Sequence, residues 1–266
     1  MALEERANRI LWKVQHEGRV HTGRLAEEYG VSEETVRRDI RQLAKEGKLK
    51  RVRGGAVCMY PPSSENAYFV RRLKDVDAKC KIGTYAAGLI QDGDIVALDG
   101  SCCTEQLAHA LFARKNVVFV TNFIPVAGLL GEKIQQKRIQ GRVILLGGEV
   151  NCENLVACGA IAEEAVAKFC FTWAFISASA LSDTGAMIWN IDEGNVSNVM
   201  AEHATHVVLL CESAKFSQTS LYQYMDYGVI DMLITDDEHE IPEKTRENLE
   251  NSGVEVVILK VKEDIP

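Results

Sequence analysis

The stretch VSEETVRRDIRQLAKEGKLKRVRGGAV, residues 31–57, constrains this chain more than any other part of it. Ser32 is a good helix N-cap, Glu33 and Glu34 sit where the helix dipole favours acids, and Gly47 follows as a stop. These signals bound a helix of about four turns. Along it Val36, Ile40 and Leu43 recur at helical spacing and define one apolar face, leaving Thr35, Arg37, Arg38, Arg41 and Lys45 to point elsewhere. Upstream, Thr22 can cap a shorter helix running to Glu28 whose Leu25 and Ala26 face inward, and Tyr29-Gly30-Val31 makes a tight turn between the two. Helix, glycine turn, helix is the pattern in which the second helix enters the major groove of duplex DNA.

Downstream, Lys48, Lys50, Arg51 and Arg53 alternate with Leu49 and Val52 before Gly54-Gly55. That alternation suits a two-stranded wing with its cations outward, placed to grip phosphate. An earlier helix over 3–17, with Leu3, Ala7, Ile10, Leu11 and Val14 on one face and Gly18 at its end, completes a head of three helices. A brief extended piece around Val20 can pair with the wing. Read alone, the run from Arg37 to Arg53 is more simply a solvated face; the turn, helix and wing around it decide for nucleic acid.

The combination TVRRDI-x-x-L-x-x-x-G-x-L-x-R-x-x-GGA resembles the DNA-binding domain of the DeoR family of bacterial transcriptional regulators. Roughly residues 3–58 carry the resemblance, which fixes recognition helix, stop and wing together. It implies a double-stranded DNA operator as partner and the candidate contacts Thr22, Ser32, Thr35, Arg37, Arg38, Arg41, Lys50, Arg51 and Arg53. Arg37 and Arg38, near the helix start, are expected at base edges, Thr35 at a phosphate or thymine methyl, and Arg51 and Arg53 at phosphates.

Charge separates this head from the rest. Residues 1–56 hold 13 Lys+Arg against 9 Asp+Glu, although the whole chain of 266 residues has a formal net charge of −8. An acidic protein that concentrates its cations in one module keeps its larger part off the nucleic-acid backbone. Nothing in the sequence approaches the ~18 apolar residues of a membrane span, and the start MALEERANRI is too charged for a signal peptide, so a cytoplasmic location is expected. The 8 cysteines include no CxxC and no His pair at zinc spacing, which reads as reduced thiols and no metal or cofactor.

CMYPPSSEN, residues 58–66, marks a semi-rigid connector. The expected division is a DNA-binding head at 3–58, a linker at 59–75 and a body at 76–260. In the body, helical patterns alternate with short β-rich runs: Ile95–Asp99, Val117–Thr121, Val143–Leu146, Ala174–Ser177, His206–Cys211, Met232–Thr235 and Glu255–Leu259. Between them fall helices at Leu107–Leu111, Pro125–Lys133, Ile161–Lys168, Val196–Ala204 and Glu243–Asn251. This is an α/β fold with a mainly parallel sheet covered on both faces.

Ligands of such sheets bind outside the carboxyl ends of the strands. Here those ends carry Asp99-Gly100-Ser101-Cys102-Cys103-Thr104, Thr121-Asn122, Gly147-Gly148, Ser177-Ala178-Ser179 and Glu212-Ser213-Ala214-Lys215-Phe216. The first is a Gly/Ser loop leaving a strand for a helix, a place where free backbone N–H groups meet an anion, or else an ordinary tight turn. Asp99 can orient a sugar hydroxyl or cap the helix that follows. Lys215 is a candidate cation for a phosphate, or a surface lysine after a strand. Gly147 and Gly148 can line the mouth with Asn122 or form a turn needing positive φ.

This second region also resembles the DeoR sensor domain, through Arg72, Lys79, Ile82, the LDGSCCT loop, VTN, LLGGEV, FISAS and AKF. The resemblance implies a fold related to ribose-5-phosphate isomerase and glucosamine-6-phosphate deaminase, with the strand-to-helix loop cradling a phosphorylated sugar or polyol. It also implies a homo-oligomer binding repeated or palindromic sites. The family loop, D-x-G-[ST]-T, is altered here: Ser101 stands at its glycine, Cys102 and Cys103 at its hydroxyl positions, and Ala214 at the serine of S-K-F. A thiol donates weakly, so each replacement should weaken side-chain contact to phosphate by roughly 1 kcal/mol. Two other functions compete with a regulator: a sugar-phosphate enzyme, and a thiol or metal sensor in which Cys102-Cys103 at a helix N-terminus have depressed pKa values. General acid/base work needs a positioned carboxylate or His, for which Asp99 with Glu212 is a thin basis.

Overall fold

The structure, a computed structural model, describes residues 6, 7, 9–11, 13, 14, 19–46, 48–52, 54–58 and 68–261. The expected helix start at 3–5, its end at Gly18, the stop at Gly47, Arg53 and the connector at 59–67 lie outside them. The chain divides into two compact units, 1–66 and 67–266.

In the first unit the described residues of 6–14 are helical (α1), followed by β1 (Arg19–His21), α2 (Thr22–Tyr29), α3 (Glu33–Lys45), β2 (Leu49–Val52) and β3 (Gly55–Cys58). The strands pair antiparallel in the order β1-β3-β2, so the extended piece around Val20 does join the wing. Ile10, Val14, Val20, Leu25, Val36, Ile40, Leu43 and Leu49 form one core, the apolar face expected of the helices and the inward side of the wing. A buried ion pair locks α1 to α3: Arg6 Nε and Nη2 donate to the Asp39 carboxylate at 2.5 and 3.2 Å.

One cap differs from expectation. Thr22 is the first helical residue of α2 rather than its cap; His21 flanks the helix and makes no side-chain cap bond. The reason is the strand in front. His21 is already paired with Gly55, and the N–H of Thr22 finds the Gly54 carbonyl at 2.9 Å, so no side-chain acceptor is needed.

The second unit is built on a seven-stranded sheet, ordered β15-β14-β12-β9-β4-β5-β6 and parallel throughout. Its strands are β4 (Ile95–Leu98), β5 (Val117–Thr121), β6 (Gly141–Leu145), β9 (Phe171–Ser177), β12 (Ala204–Leu210), β14 (Met232–Asp236) and β15 (Glu255–Leu259). Alternate residues feed two cores, as the two-residue period of a strand requires. Ala97, Ala174, Ile176, Val207 and Leu209 face one side with Ala162, Val196, Met200 and Leu249. Val96, Leu98, Phe175, Val208 and Leu210 face the other with Ile82, Ala86, Leu107 and Leu130. The helices supplying these partners are α5 (Val76–Leu89), α6 (Cys102–Ala110) and α7 (Ile124–Gln135) on the second side, and α8 (Ala160–Val166), α9 (Ile191–Glu202) and α10 (Glu243–Asn251) on the first.

Two helices begin earlier than their apolar pattern does. The helix expected at Leu107 starts at Cys102, and that expected at Val196 starts at Ile191, because capping at Ser101 and Asn190 sets the start. Five short strands were not anticipated. β7 (Glu149–Asn151) and β8 (Val156–Cys158) form a hairpin, while β10 (Ala180–Leu181), β11 (Gly185–Ile188) and β13 (Tyr222–Asp226) form a small antiparallel sheet. Residues 68–71, inside the stretch read as linker, form a helical turn, α4 (Tyr68–Arg71).

The strand order reverses once along the sheet. From β4 the chain moves outward through β5 and β6, then returns to the opposite side of β4 with β9 and moves away through β12, β14 and β15. The reversal falls between β4 and β9, and a crevice opens at the carboxyl ends of strands at such a point.

Candidate functional site

In the first unit, Ser32 Oγ accepts the Thr35 N–H at 3.2 Å and lies 2.9 Å from Thr35 Oγ1, so these two candidate contacts fix the start of α3 together. Arg37 Nη2 is 2.6 Å from Glu33 Oε2, and Arg41 pairs with Glu34. Arg38, Lys50 and Arg51 are exposed, and each makes no ion pair with another described residue. Thr22 is buried and its hydroxyl donates to the Gly54 carbonyl at 3.1 Å, tying α2 to the wing turn. Thr22, Arg37, Ile40, Arg51, Val52, Gly54 and Gly55 line a small depression between α3 and the wing. Arg53 lies outside the described residues.

In the second unit, the loop after β4 is a tightly bonded turn. Ser101, not Asp99, caps α6: its Oγ accepts the Thr104 N–H at 3.1 Å and Thr104 Oγ1 accepts the Ser101 N–H at 3.2 Å. Thr104 Oγ1 is also within 2.8 Å of the Asp99 carbonyl. The hydroxyls of Ser101 and Thr104 are therefore spent inside the loop. The capping box satisfies the N–H groups of Ser101 and Thr104 only, which leaves those of Cys102 and Cys103 as the donors α6 can offer outward.

Asp99 is fully buried and faces the neighbouring strand. Its Oδ2 accepts the Ser177 N–H at 2.6 Å and the Ser177 hydroxyl at 3.0 Å, while Oδ1 has no hydrogen-bond partner among the described residues. Burial raises its pKa to about 6, with the Ser177 bonds and the Lys215 charge pulling partly back. Tyr224 closes the same corner by donating to the Ser177 carbonyl at 2.6 Å.

Lys215 lies in the 3-10 turn Ser213–Ser217 after β12, and it is paired: its Nζ is 2.8 Å from Glu212 Oε2. The other Glu212 oxygen, Oε1, is 3.1 Å from Lys79 Nζ, an α5 residue that also donates to the Arg71 carbonyl at 3.0 Å and to that of Lys74. Burial by itself would raise the Glu212 pKa, but Lys215 and Lys79 outweigh it and hold the carboxyl at about 2. The cluster keeps one net positive charge, two ammonium groups around one carboxylate.

Gly100, Asn122 and Gly148 share a different role, seating the hairpin strand β8. A Cβ at Gly100 would come within 2.3 Å of Val156, and one at Gly148, whose φ is +143°, within 2.7 Å of the Cys158 carbonyl. Between them Asn122 brackets Ala157, accepting its N–H on the backbone carbonyl at 2.8 Å and donating Nδ2 to its carbonyl at 3.1 Å. Asn122 Oδ1 is buried with no partner among the described residues. Gly147 has nothing within van der Waals reach of a Cβ.

The adjacent thiols contradict the expectation of depressed pKa values. Cys102 and Cys103 are both buried, and burial pushes both thiols up, Cys103 well above its ordinary value. Desolvation outweighs the nearby positive charges, Arg71 and Lys79 at Cys102 and Lys215 and Lys79 at Cys103. Among the described residues no group of three His, Cys, Asp or Glu side chains could hold a metal ion.

Several participants were not singled out from sequence. From sequence, Lys79 is only a point of resemblance to the sensor domain, Glu212 only a thin acid/base partner for Asp99, and Ser177 only a strand-end residue; none is expected to bond as it does. A second buried carboxylate, Glu193 on α9, takes bonds from Asn151 at 2.7 Å and Asn154 at 3.1 Å, and Arg71 donates to Asn154 at 3.1 Å. Arg72 reaches the buried Glu105 of α6 at 3.1 Å. Arg72 and Lys79 carried a signal in the resemblance to the sensor domain, and Ser177 and Glu212 in their position at strand ends; Glu193, Arg71 and Glu105 carried none.

Comparison with known proteins follows the same division. Residues 6–61 match the model of the DeoR-like helix-turn-helix domain, and residues 74–237 that of the DeoR C terminal sensor domain. The HTH-type transcriptional repressor GlcR of Bacillus subtilis (strain 168) is 32% identical over 97% of this chain and 97% of its own length. The glycerol-3-phosphate regulon repressor of Escherichia coli (strain K12) is 28% identical over 89% of this chain and 92% of its own. Among solved structures, ribose 5 phosphate isomerase A from Neisseria gonorrhoeae aligns over 53% of each chain with 13% identity and a TM-score of 0.37.

Proposed function

The chain belongs to the DeoR family of transcriptional regulators, and on that premise we propose that it is a sequence-specific DNA-binding repressor of a carbohydrate-metabolism operon, modulated by a phosphorylated sugar or polyol. The head, 3–58, meets the operator through α3 and the wing; the body, 76–260, takes the effector. The observation that carries this reading is the pairing of an arginine-bearing helix and a basic wing in one small unit with a reversal of strand order between β4 and β9 in the other, where sheets of this kind take ligands. One of the relatives named above, the glycerol-3-phosphate regulon repressor, supports the effector class.

On the DNA side, Arg38 and Arg37 read base edges, Thr35 and Ser32 meet the backbone at the helix start, and Arg41, Lys50, Arg51 and Arg53 contact phosphate. On the effector side, the N–H groups of Cys102 and Cys103 and the Lys215 ammonium receive the phosphate. The free Asp99 and Asn122 oxygens accept from sugar hydroxyls. Thiols at positions 102 and 103 leave the phosphate to backbone donors.

Regulator is favoured over enzyme by how the carboxylates of the mouth are used. Glu212 is held between two lysines, Glu193 between two asparagines, and Asp99 by Ser177. Glu212 and Glu193 are thereby tied up in ion pairs and amide bonds, and Asp99, with one oxygen open, has no His or second free carboxylate among its hydrogen-bond partners in the described residues to share a proton with. We place the protein in the cytoplasm as a homo-oligomer whose symmetry sets half-site spacing. No helix of the described residues is long and apolar enough to cross a membrane.

Thermal-shift screening of the full chain against phosphorylated sugars and polyols tests the effector assignment. A ligand present at 100 times its dissociation constant adds ~2.7 kcal/mol and raises the melting temperature measurably. The proposal expects at least one such ligand and no turnover of ribose-5-phosphate or glucosamine-6-phosphate. Turnover of either would move the body to the enzyme class.

A further inference from the structure

The recognition helix carries acids placed against its own arginines. Arg37 reaches Glu33 at 2.6 Å and Glu34 at 3.8 Å, and Arg41 reaches the other oxygen of Glu34. Glu34 thus bridges the helix's first turn to residues one and two turns further on. Arg38, next to Arg37 in sequence, makes no ion pair among the described residues. All four members of the network are about half exposed, with side-chain exposures of 49–67%.

Exposed pairs of this kind contribute little to stability. The helix does not depend on them either: Ser32 caps it, and an acid at its start is favourable wherever its carboxylate points. What the network does is occupy two guanidinium groups with oxyanions, on the surface that would meet DNA. A carboxylate and a phosphate compete for the same fork of N–H donors.

We infer that Glu33 and Glu34 stand in for phosphate in the free protein, and that Glu34, bridging Arg37 and Arg41, is a specificity-determining residue of the recognition helix. The inference rests on the DNA-binding reading above. On random duplex, each arginine must leave a carboxylate to take a phosphate, and the carboxylates are brought toward the phosphate backbone. Both effects weaken sequence-independent binding. On the operator, the guanidinium of Arg37 exchanges Glu33 for a base edge that returns two bonds in fixed geometry, and the exchange is favourable.

The test measures binding of the full chain to a random-sequence duplex, and to a duplex selected from a random library by the wild type, across a range of salt concentrations. Glu34→Gln is expected to bind random duplex about 3- to 10-fold more tightly, the scale of releasing two exposed pairs. Its plot of log affinity against log salt should steepen by about 1, since Arg41 is freed to meet a phosphate while Arg37 keeps Glu33 at 2.6 Å. Affinity for the selected duplex should rise less, so the ratio of the two falls. Glu27→Gln on α2 removes the same charge from an exposed residue that is not part of the network, and should change neither slope nor ratio. An unchanged random-duplex affinity in Glu34→Gln overturns the inference. So does an equal gain in Glu27→Gln, or a loss confined to the selected duplex, which would make Glu34 a base-reading residue. Absence of salt-sensitive binding by the wild type would instead reject the DNA-binding reading itself.

Discussion

Asp99 accepts both the backbone N–H and the hydroxyl of Ser177, at 2.6 and 3.0 Å, across the point where the strand order of the large sheet reverses. The carboxylate joins β4 to β9 beyond their last ladder bond. Burial raises its pKa from 3.8 to about 6, so the folded protein keeps a proton that the unfolded chain gives up. The contribution of this group to stability is therefore full below pH 3.8 and is lost as pH rises through about 6. Near neutral pH the buried charge costs about 3 kcal/mol. Asp99→Asn, which can still accept from Ser177, is expected to raise the melting temperature at neutral pH and to weaken binding of the effector. A lower melting temperature with unchanged effector affinity would show that the charge is structural.

Glu212 has the opposite sign. Lys215 and Lys79 hold its pKa at about 2 against an ordinary 4.5, so its stabilisation is present above pH 4.5 and is lost as pH falls through about 2. Removing either lysine leaves Glu212 paired with the other, so the cost of Lys79→Met comes from the carbonyls of Arg71 and Lys74 that lose their donor, about 1–3 kcal/mol by urea unfolding. Lys215→Met leaves Glu212 with Lys79 and should cost less, while abolishing the thermal shift given by the effector. Equal destabilisation by both, with the ligand shift retained in Lys215→Met, would contradict the division of labour.

These two carboxylates also show what could be read from sequence. The alternation of strand and helix, the strand ends and the DGSCCT loop were legible because each is a local pattern, apolar runs of four to seven residues and a glycine turn; the cap at Ser101 was not, since Asp99 two residues earlier is an equally good capping residue. The clasp of Glu212 by Lys79 was not, since it joins α5 to the end of β12 over a long stretch of chain. Nor was the hairpin of β7 and β8, whose strands of three residues are too short to display a period. Without that hairpin Gly100, Asn122 and Gly148 looked like parts of a ligand cradle. With it, close packing against Val156, Ala157 and Cys158 accounts for the two glycines and for most of Asn122. In the head, the apolar face of α3 was plain, but the buried bond from Arg6 to Asp39 was hidden inside a run of charges.

The cysteines should divide by burial rather than by sequence neighbourhood. Cys152 and Cys170 are exposed, whereas Cys102, Cys103, Cys158 and Cys211 are buried; burial pushes Cys158 up to about 11 and Cys211 to about 12. A thiol-specific reagent at neutral pH is expected to modify Cys152 and Cys170 in the folded chain and to reach the buried set only on unfolding. Rapid labelling of Cys102 or Cys103, with a change in DNA affinity, would revive the thiol-sensor alternative. Conversely, Cys102→Ser restores a hydroxyl donor at the loop and should tighten effector binding up to about 10-fold, one hydrogen bond's worth.

Arg38 and Arg51 separate base reading from phosphate contact. Arg38→Ala should relax preference among sequences, costing about 1–3 kcal/mol on the preferred site and little on random duplex. Arg51→Ala, on the wing strand β2, should weaken all duplexes alike and flatten the salt slope by about 1. Anisotropy titrations on a selected and a random duplex distinguish these outcomes, and identical losses for the two variants on both duplexes would erase the distinction.

The central claim is that occupancy of the body changes the grip of the head. Its most direct test is the affinity of the full chain for a selected duplex, measured with and without each sugar or polyol phosphate that raises the melting temperature. The account predicts that such a ligand changes duplex affinity about 5- to 150-fold, the range of ordinary coupling between two sites. Ligands that stabilise the protein yet leave duplex affinity unmoved would contradict it.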